Sequence, residues 1–513
     1  MKDRIVKVEE GYLQGTFGWD PRVKVFKGVP YAAPPVGELR WRAPQPMTPW
    51  EGVRDAREYG PMAVQEVPGG NPDDFWGREL HPAGPEFKMS EDCLYVNIFT
   101  PAKTGDEKFP VFCYIHGGGY RGGYPYEQEF DWERVAANGV VVAAITYRLG
   151  VIGFLAHPEL SAEHPDEPKG NYGLQDQLAA LKWIKKNIAA FGGDPGKMTI
   201  AGQSAGAGSV QSQLTSPLSE GVFEGAIIQS GITVPFIDTA DPLSAKTLES
   251  QEQVGKEFLE KAGFGSIAEA RKADAKKLVD LEPEILGPMM HFMPVVDGIF
   301  LKEPAASALR NGHWHNVPVI CGYNTGELAM FNRFQGNLPK TIAEFEAYAE
   351  RFGKKKEALL SLADPKCDED VQKLFASEAY MSLIISAVFG AYCLNRQGRN
   401  VWLYEFDADM PGTDDHSAFH GAELWFAYDA LGRSWRPFTG KHYDLAREVS
   451  SYWINFIKTG DPNGQDHFGN ELPKWDRYTD EQPARMHFTD HAACETVPEN
   501  PVMKFRIANQ LGE

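Results

Sequence analysis

A serine between two glycines, in the stretch Gly202 to Gly206, constrains the fold of this chain more than any other feature. It follows an apolar, strand-like run from Met198 to Ala201 and precedes small residues typical of a helix start. So tight a turn needs neighbours almost without side chains, and it lifts the serine hydroxyl to where the N–H groups of the next helix point. The pattern predicts a nucleophile elbow that carries Ser204; the alternative is an ordinary glycine turn at a helix start.

Short apolar runs alternate with longer helical patterns along the middle of the chain. The clearest helix runs from Leu174 to Ile188, where apolar residues recur at helical spacing. The predicted strands run from Val111 to Ile115, Val140 to Tyr147, Lys197 to Gln203, Ala226 to Gln229, Val317 to Cys321 and Val401 to Phe406. This alternation predicts an α/β fold, with a mostly parallel sheet covered by helices on both faces.

The 513 residues contain no internal repeat, low-complexity tract or flexible linker, so we expect a single catalytic domain over residues 1–513. Two charged, helix-prone stretches, at about 238–284 and 342–393, are interpreted as helical insertions. Open α/β sheets bind ligands at the carboxyl ends of their strands. Insertions that follow those ends would roof the site.

Composition excludes several classes of function. The formal net charge of −20 argues against a nucleic-acid partner and against docking on anionic membranes.

The first residues lack the apolar core of a secretion signal, and no apolar stretch approaches a membrane span of about 20 residues, so we expect a cytoplasmic protein. The six cysteines are scattered without a CxxC pair, which favours free buried thiols over disulfides.

A second glycine motif, His116 to Tyr120, stands at the end of the predicted strand that begins at Val111. Its three successive glycines let the backbone approach a ligand closely and aim N–H groups at it. An acyl-transfer enzyme needs such donors for the oxyanion of its tetrahedral intermediate, and one donor is worth roughly 3–4 kcal/mol. The motif predicts an oxyanion loop shaped by His116; the alternative is a flexible glycine loop.

A serine nucleophile needs a general base, and the chain has 13 histidines. His313 and His315 flank a tryptophan, but no carboxylate stands at the close spacing of a metal site, so a metal role is disfavoured. His420 lies on a loop after the late strand from Val401 to Phe406. We therefore predict His420 as the base.

The acid that orients such a histidine lies between the serine and the histidine in the chain order of this fold, just after a strand. Glu327 meets this condition because it follows the strand from Val317 to Cys321. Asp297, after another short apolar run, is a rival. Spacing alone leaves the choice between the two carboxylates open.

Longer motifs elsewhere in the chain carry a family resemblance. The matching segments are Phe191 to Gly206, Glu91 to Asn97, Phe26 to Ala32, Tyr147 to Gly150, Gly170 to Leu174 and Lys458 to Asn463. With them the chain resembles, over nearly its whole length, the type-B carboxylesterases, the family that includes para-nitrobenzyl esterases and cholinesterases. The resemblance implies an α/β-hydrolase fold and a serine esterase activity.

The resemblance also implies roles for single residues. It implies that Glu327 is the acid of a catalytic triad, that His420 is its base and that Asp297 belongs to a structural segment. The implied oxyanion donors are the N–H groups of Gly118, Gly119 and Ala205. Two implied structural ion pairs are Arg40 with Glu91 and Arg148 with Asp176.

The sequence departs from the family pattern at three places. Gln203 stands before the serine where the family often has Glu, which removes a charge beside the site. Leu328 replaces the usual glycine after the acid, which could reshape the floor of the pocket. Cys93 matches a cysteine that often pairs with an upstream one, but this chain has none upstream, so we expect no disulfide there.

The predicted chemistry has two halves and requires no metal or organic cofactor. His420 takes the proton of Ser204, which attacks an ester carbonyl; water then hydrolyses the acyl-enzyme in the same way. Two alternatives stay open: a binding module on the same fold, and an amidase or thioesterase with the same triad. We expect a small-molecule ester substrate and a monomer or small homo-oligomer.

Apolar residues around the predicted site indicate esters of small apolar or aromatic acids. They are Phe75, Trp76, Met289, Met290, Phe292, Phe331, Phe334, Trp425 and Phe426. The alternative interpretation of this set is ordinary packing in the core or along the walls of the site.

Overall fold

The computed structural model describes residues 4–66, 75–80, 88–232, 246–287, 290–327, 339–376, 382–414 and 416–512. In these ranges the strands are β1 Ile5–Val8, β2 Gly11–Gln14, β3 Thr16–Phe17, β4 Lys24–Pro30, β5 Val53–Asp55, β6 Tyr95–Thr100, β7 Phe109–Ile115, β8 Val141–Ile145, β9 Gly193–Gln203, β10 Gly225–Gln229, β11 Lys246–Thr247, β12 Val295–Val296, β13 Val319–Asn324, β14 Val401–Phe406, β15 Ala484–Phe488 and β16 Ala492–Thr496.

The α-helices of the same ranges are α1 Phe75–Leu80, α2 Trp132–Ala137, α3 Gly150–Phe154, α4 Pro158–Glu163, α5 Tyr172–Asn187, α6 Ala205–Thr215, α7 Leu248–Lys261, α8 Ile267–Ala270, α9 Ala275–Leu286, α10 Ala305–Asn311, α11 Ile342–Ala349, α12 Lys356–Ala363, α13 Asp368–Ala376, α14 Ser382–Arg396, α15 Ala422–Ala427, α16 Gly440–Thr459 and α17 Pro501–Leu511.

One large sheet dominates the described residues, with the strand order β16-β15-β14-β13-β10-β9-β7-β8-β6-β4-β3. Neighbouring strands from β8 to β15 in this order pair in parallel, whereas the strands at both edges pair antiparallel. The prediction of a mostly parallel sheet is confirmed. Because β7, β9, β10, β13 and β14 are consecutive and parallel, the loops after their carboxyl ends all open at the same edge of the sheet.

Alternating side chains of each central strand enter two different cores. In β14, Val401 and Leu403 join one buried cluster, whereas Trp402 and Tyr404 join the other. Helices α5 and α6 contribute to the first cluster, and α2, α15 and α16 contribute to the second. Both faces of the sheet are therefore covered by helices, which explains why its strands are apolar runs without alternating polarity.

The two stretches interpreted as insertions carry helices in their described parts. Helices α7, α8 and α9 lie in the first stretch, and α11 to α14 lie in the second. A separate apolar cluster joins α11, α12 and α13 to α17 at the end of the chain. Residues 238–245 and 377–381 of these stretches lie outside the described residues. None of the helices in the described ranges is long and apolar enough to cross a membrane.

Both ion pairs implied by the resemblance are present. Arg148 donates to Asp176 at 2.7 Å through two nitrogens, and both side chains are fully buried. Arg40 donates to Glu91 at 2.5 Å and to the carbonyl oxygens of Ala270 and Ala273. The Arg148–Asp176 pair has further bonds to the main chain: Asp176 accepts from the Arg148 N–H, and Arg148 donates to Arg42 O. Cys93 is a free, buried thiol, and burial raises its pKa.

Candidate active site

Ser204 occupies a strained turn between β9 and α6. Its backbone has φ 56° and ψ −122°, a conformation that L-residues rarely adopt. A methyl group on Gly206 would lie 2.2 Å from the carbonyl oxygen of Ile115, and one on Gly202 would lie 2.4 Å from the backbone of Gly206. The turn therefore excludes any side chain at these two glycines. Ser204 is partly exposed at the carboxyl edge of the sheet, and its own N–H donates to Gln229 O at 2.9 Å.

The glycine loop follows β7, the strand next to β9. Gly118 and Gly119 have φ values of 101° and 64°, and a methyl group on Gly118 would lie 2.2 Å from Gly122 O. His116 stacks on Tyr147, with 4.5 Å between ring centroids, and its Nδ1 lies 3.0 Å from Gly117 O. Burial lowers the pKa of His116 to about 4, so it is uncharged at neutral pH. A neutral ring bonded to the main chain fits a residue that shapes the loop.

Glu327 and His420 meet although 93 residues separate them in the chain. Glu327 Oε2 is hydrogen-bonded to His420 Nδ1, and Oε1 accepts from the Asn324 N–H at 2.9 Å. Gly326 N donates to Ala418 O at 2.9 Å, so the loop after β13 and the histidine loop after β14 are joined through their backbones. Glu327 is completely buried, so water does not compete for its two hydrogen bonds.

The second ring nitrogen of His420 faces the residue before the serine. His420 Nε2 lies 3.2 Å from Gln203 Nε2. Burial alone would lower the pKa of His420, but the charge of Glu327 and its hydrogen bond outweigh burial and raise that pKa above its ordinary value. The ring is therefore a stronger base than an isolated imidazole.

A second buried carboxylate, which no sequence pattern predicted, lies beside this pair. Glu423, on α15, accepts from Asn324 Nδ2 at 2.5 Å and from Gln229 Nε2 at 3.3 Å. The Tyr428 hydroxyl donates to Gln229 Oε1 at 2.7 Å. Burial, and next the charge of Glu327, raise the pKa of Glu423 to about 7. Its position three residues after His420, at the start of a helix, was the one available signal in the sequence.

Asp297, the rival acid, has partners of a different kind. Its carboxylate accepts from the backbone N–H groups of Phe300 and Leu301, each at 2.9 Å. It also accepts from the N–H of Lys169 at 2.9 Å. These bonds organise the loop after β12 and join it to residue 169. The other histidines considered above also have structural partners: His315 Nε2 lies 2.9 Å from Ser216 O, and His313 Nδ1 lies 2.5 Å from Glu303.

The apolar residues predicted to surround the site divide into three groups. Phe292, Trp425 and Phe426 are fully buried in the two main cores, as the packing interpretation expects. Phe75 contacts Phe419, the residue before His420, with 5.0 Å between ring centroids, and Trp76 packs edge-on against Phe75 at 5.1 Å. A methyl group on Gly119 would lie 2.8 Å from the sulfur of Met290, so this side chain borders the glycine loop. Met289, Phe331, Phe334 and also Leu328 lie outside the described residues.

Comparison with known proteins gives a consistent result. Residues 2–506 match the model of the carboxylesterase family. Fumonisin B1 esterase of Sphingopyxis macrogoltabida is 35% identical over 89% of this chain and 82% of its own. Para-nitrobenzyl esterase of Bacillus subtilis (strain 168) is 31% identical over 98% of both chains. A solved carboxylesterase of Geobacillus stearothermophilus superposes with a TM-score of 0.75 at 30% identity, covering 98% of this chain and 99% of its own.

Proposed function

The chain belongs to the carboxylesterase family and is a carboxylic-ester hydrolase, and from this premise we propose that Ser204, His420 and Glu327 carry out the hydrolysis. One observation carries the proposal. The Glu327–His420 hydrogen bond lies at the same sheet edge as the strained turn of Ser204, although the three residues come from three separate loops. Nucleophile, base and orienting acid are the parts that serine acyl transfer requires.

Acylation begins with proton transfer from Ser204 Oγ to His420 Nε2. Glu327 holds the proton of the ring on Nδ1, which leaves the lone pair of Nε2 to act as the base. The serine oxygen then attacks the ester carbonyl. The imidazolium that forms is stabilised by the buried carboxylate of Glu327, the same interaction that raises the pKa of His420.

The carbonyl oxygen becomes an oxyanion in this step and needs preorganised donors. We assign this role to the N–H groups of Gly118, Gly119 and Ala205. The first two lie on the loop after β7, where positive φ values and close backbone contacts hold the glycines in place. Ala205 is the first residue of α6, so its N–H is one of those that the helix leaves without an internal partner. Breakdown of the tetrahedral intermediate expels the alcohol, which takes the proton from His420.

Deacylation repeats these steps with water as the nucleophile. His420 takes a proton from water, the hydroxide attacks the acyl-enzyme, and Ser204 leaves with the proton returned. For the acid part of the ester we propose a small apolar or aromatic group. Its support is the side chain of Met290, which borders the glycine loop beside Gly119.

A series of p-nitrophenyl esters from acetate to octanoate tests this function. Wild-type protein should hydrolyse the short members fastest, and Ser204→Ala should lower kcat by at least about 10⁴-fold, because without the nucleophile only binding and oxyanion stabilisation are left. Ser212→Ala is the matched control. It removes a serine of the same helix whose hydroxyl donates to Gly208 O, and it should keep wild-type activity.

Either of two results would contradict the proposal. A wild-type protein inert on every ester would argue for a binding module on this fold. Activity that survives Ser204→Ala would assign the chemistry to another group. A rate that rises steadily up to octanoate would overturn only the preference for small acids.

A further inference from the structure

Gln203 lies between the two loops that carry the proposed oxyanion donors and the proposed base. Its side chain is 7% exposed, and its Nε2 is 3.2 Å from His420 Nε2. A methyl group on Gly117 would lie 3.3 Å from Gln203 Oε1, and one on Gly421 would lie 3.6 Å from Gln203 Nε2. The amide oxygen thus lies near the glycine loop, and the amide nitrogen contacts the histidine loop.

Hydrogen-bond chemistry fixes the direction of the contact between Gln203 and His420. The carboxylate of Glu327 can only accept, so Nδ1 of His420 carries the proton of the neutral ring. Nε2 is then a bare acceptor and needs a donor. The NH₂ group of Gln203 supplies one at 3.2 Å. This lone pair is the one that must take the proton of Ser204, so the amide and the serine hydroxyl compete for a single acceptor.

We propose that Gln203 is a positioning residue that serves both protonation states of His420, donating to bare Nε2 in the resting enzyme and turning its oxygen to accept from Nε2–H after proton transfer. The inference rests on the proposed function of Ser204 and His420. Only the Ser204 proton moves, from Oγ to Nε2 and on to the leaving alcohol, and Gln203 neither gains nor loses one. The terminal torsion of a glutamine is soft enough for such a turn.

The absence of charge on Gln203 has a consequence for the working pH. The carboxyl groups that act on His420 are Glu327, from the loop after β13, and Glu423, from α15; the ionised form of each favours the imidazolium. From β9, Gln203 adds a contact without adding a further carboxylate. Because only the neutral ring can accept the serine proton, a neutral neighbour lets the enzyme work at a lower pH than a carboxylate there would allow.

The test is the pH dependence of kcat/KM for Gln203→Glu beside the wild type. A carboxylate in contact with Nε2 favours the imidazolium, so the rising limb of the profile should move to higher pH by about one to two pH units. At a pH one unit below the midpoint of the wild-type limb, Gln203→Glu should be about 10- to 100-fold less active than the wild type, each scaled to its own plateau. Gln203→Met, which removes the amide without adding charge, should move the limb by less than about half a unit. Gln482→Glu, at an exposed position, should leave the profile unchanged.

Two outcomes would overturn the inference: an unmoved limb in Gln203→Glu, or equal shifts in Gln203→Glu and Gln203→Met, which would indicate packing rather than charge. A measurement without turnover separates it from the proposed function. NMR titration of His420 in the Ser204→Ala background should show its pKa rising by about one to two when Gln203→Glu is added. If His420 titrates with the same pKa in Ser204→Ala with and without Gln203→Glu, the role of Gln203 is refuted even where ester hydrolysis by Ser204 is established. An inert wild type with a shifted titration would refute only the hydrolysis.

Discussion

The two sides of the site are held by different physics. On the side of the proposed nucleophile, Gly202, Ser204 and Gly206 are fixed by backbone geometry, because a methyl group on either glycine would lie 2.2–2.4 Å from backbone atoms. On the side of the proposed acid and base, the buried carboxylate of Glu327 and the partly exposed ring of His420 are fixed by the hydrogen bond between them. The first side consists of five consecutive residues, whereas the second joins two residues that are 93 positions apart in the chain. Substitutions at the glycines should therefore damage folding, whereas substitutions at Glu327 or His420 should mainly damage activity.

Glu327→Gln should cause the largest loss of activity among these variants, with little loss of stability. The amide oxygen can still accept from Asn324 N–H, but its NH₂ group would then face His420 Nδ1 and favour the tautomer with the proton on Nε2. That tautomer cannot take the serine proton, so kcat should fall by about 10³–10⁴-fold. Thermal unfolding should change little, because no buried donor loses its partner. A loss below tenfold, measured on p-nitrophenyl acetate, would contradict the acid role of Glu327.

Gly206→Ala should mainly lower the stability of the fold. The new methyl group would lie 2.2 Å from Ile115 O, which belongs to the neighbouring strand and cannot move away alone. We expect a loss of unfolding free energy of about 3 kcal/mol, measured by urea titration. Activity should also fall, because the turn that carries Ser204 would be displaced. Gly432→Ala is the matched control, because a methyl group there meets nothing within 4 Å, and it should stay within about 0.5 kcal/mol of the wild type. Equal stability of the two variants would show that the turn tolerates side chains.

Glu423→Gln should have the smallest effect, and it depends on pH. Burial raises the pKa of Glu423 from an ordinary 4.5 to about 7. Between these values the folded state keeps a proton that the unfolded state has released, so this group makes wild-type stability fall as pH rises. The variant lacks that titration. From pH 5 to pH 8 its free energy of unfolding should therefore rise relative to that of the wild type by on the order of 2 kcal/mol.

The hydrogen bonds around position 423 can adapt to the amide. Gln229 can turn its own amide, because the hydroxyl of Tyr428 can accept as well as donate. Urea titrations at several pH values provide the measurement, and Glu481→Gln at an exposed position is the control. A stability difference that stays flat across this range would show that Glu423 does not titrate there.

Sequence patterns predicted the central strands well and their ends less well. The strand from Val401 to Phe406 has the predicted bounds because every one of its residues is buried between the two helical layers. β9 begins at Gly193 rather than at Lys197: the pairing of Phe109 with Gly193, beyond a register shift, extends it past a proline and a glycine that indicate a turn. β13 reaches Asn324 rather than ending at Cys321, because its last residues pair with β14. Strand ends follow pairing partners, which a single sequence does not contain.

The sequence by itself determined the local geometry of this protein, because a glycine-flanked turn between a strand and a helix depends only on adjacent residues. It also selected Glu327 over Asp297 through the family resemblance, and that role stays a prediction that Glu327→Gln tests. Only the tertiary structure decided which groups face His420. The contact of Gln203 with Nε2 and the buried carboxylate of Glu423 arise where β9, β13 and α15 meet. Such contacts set the charge balance of the site, and charge balance depends on distances that only the folded chain defines.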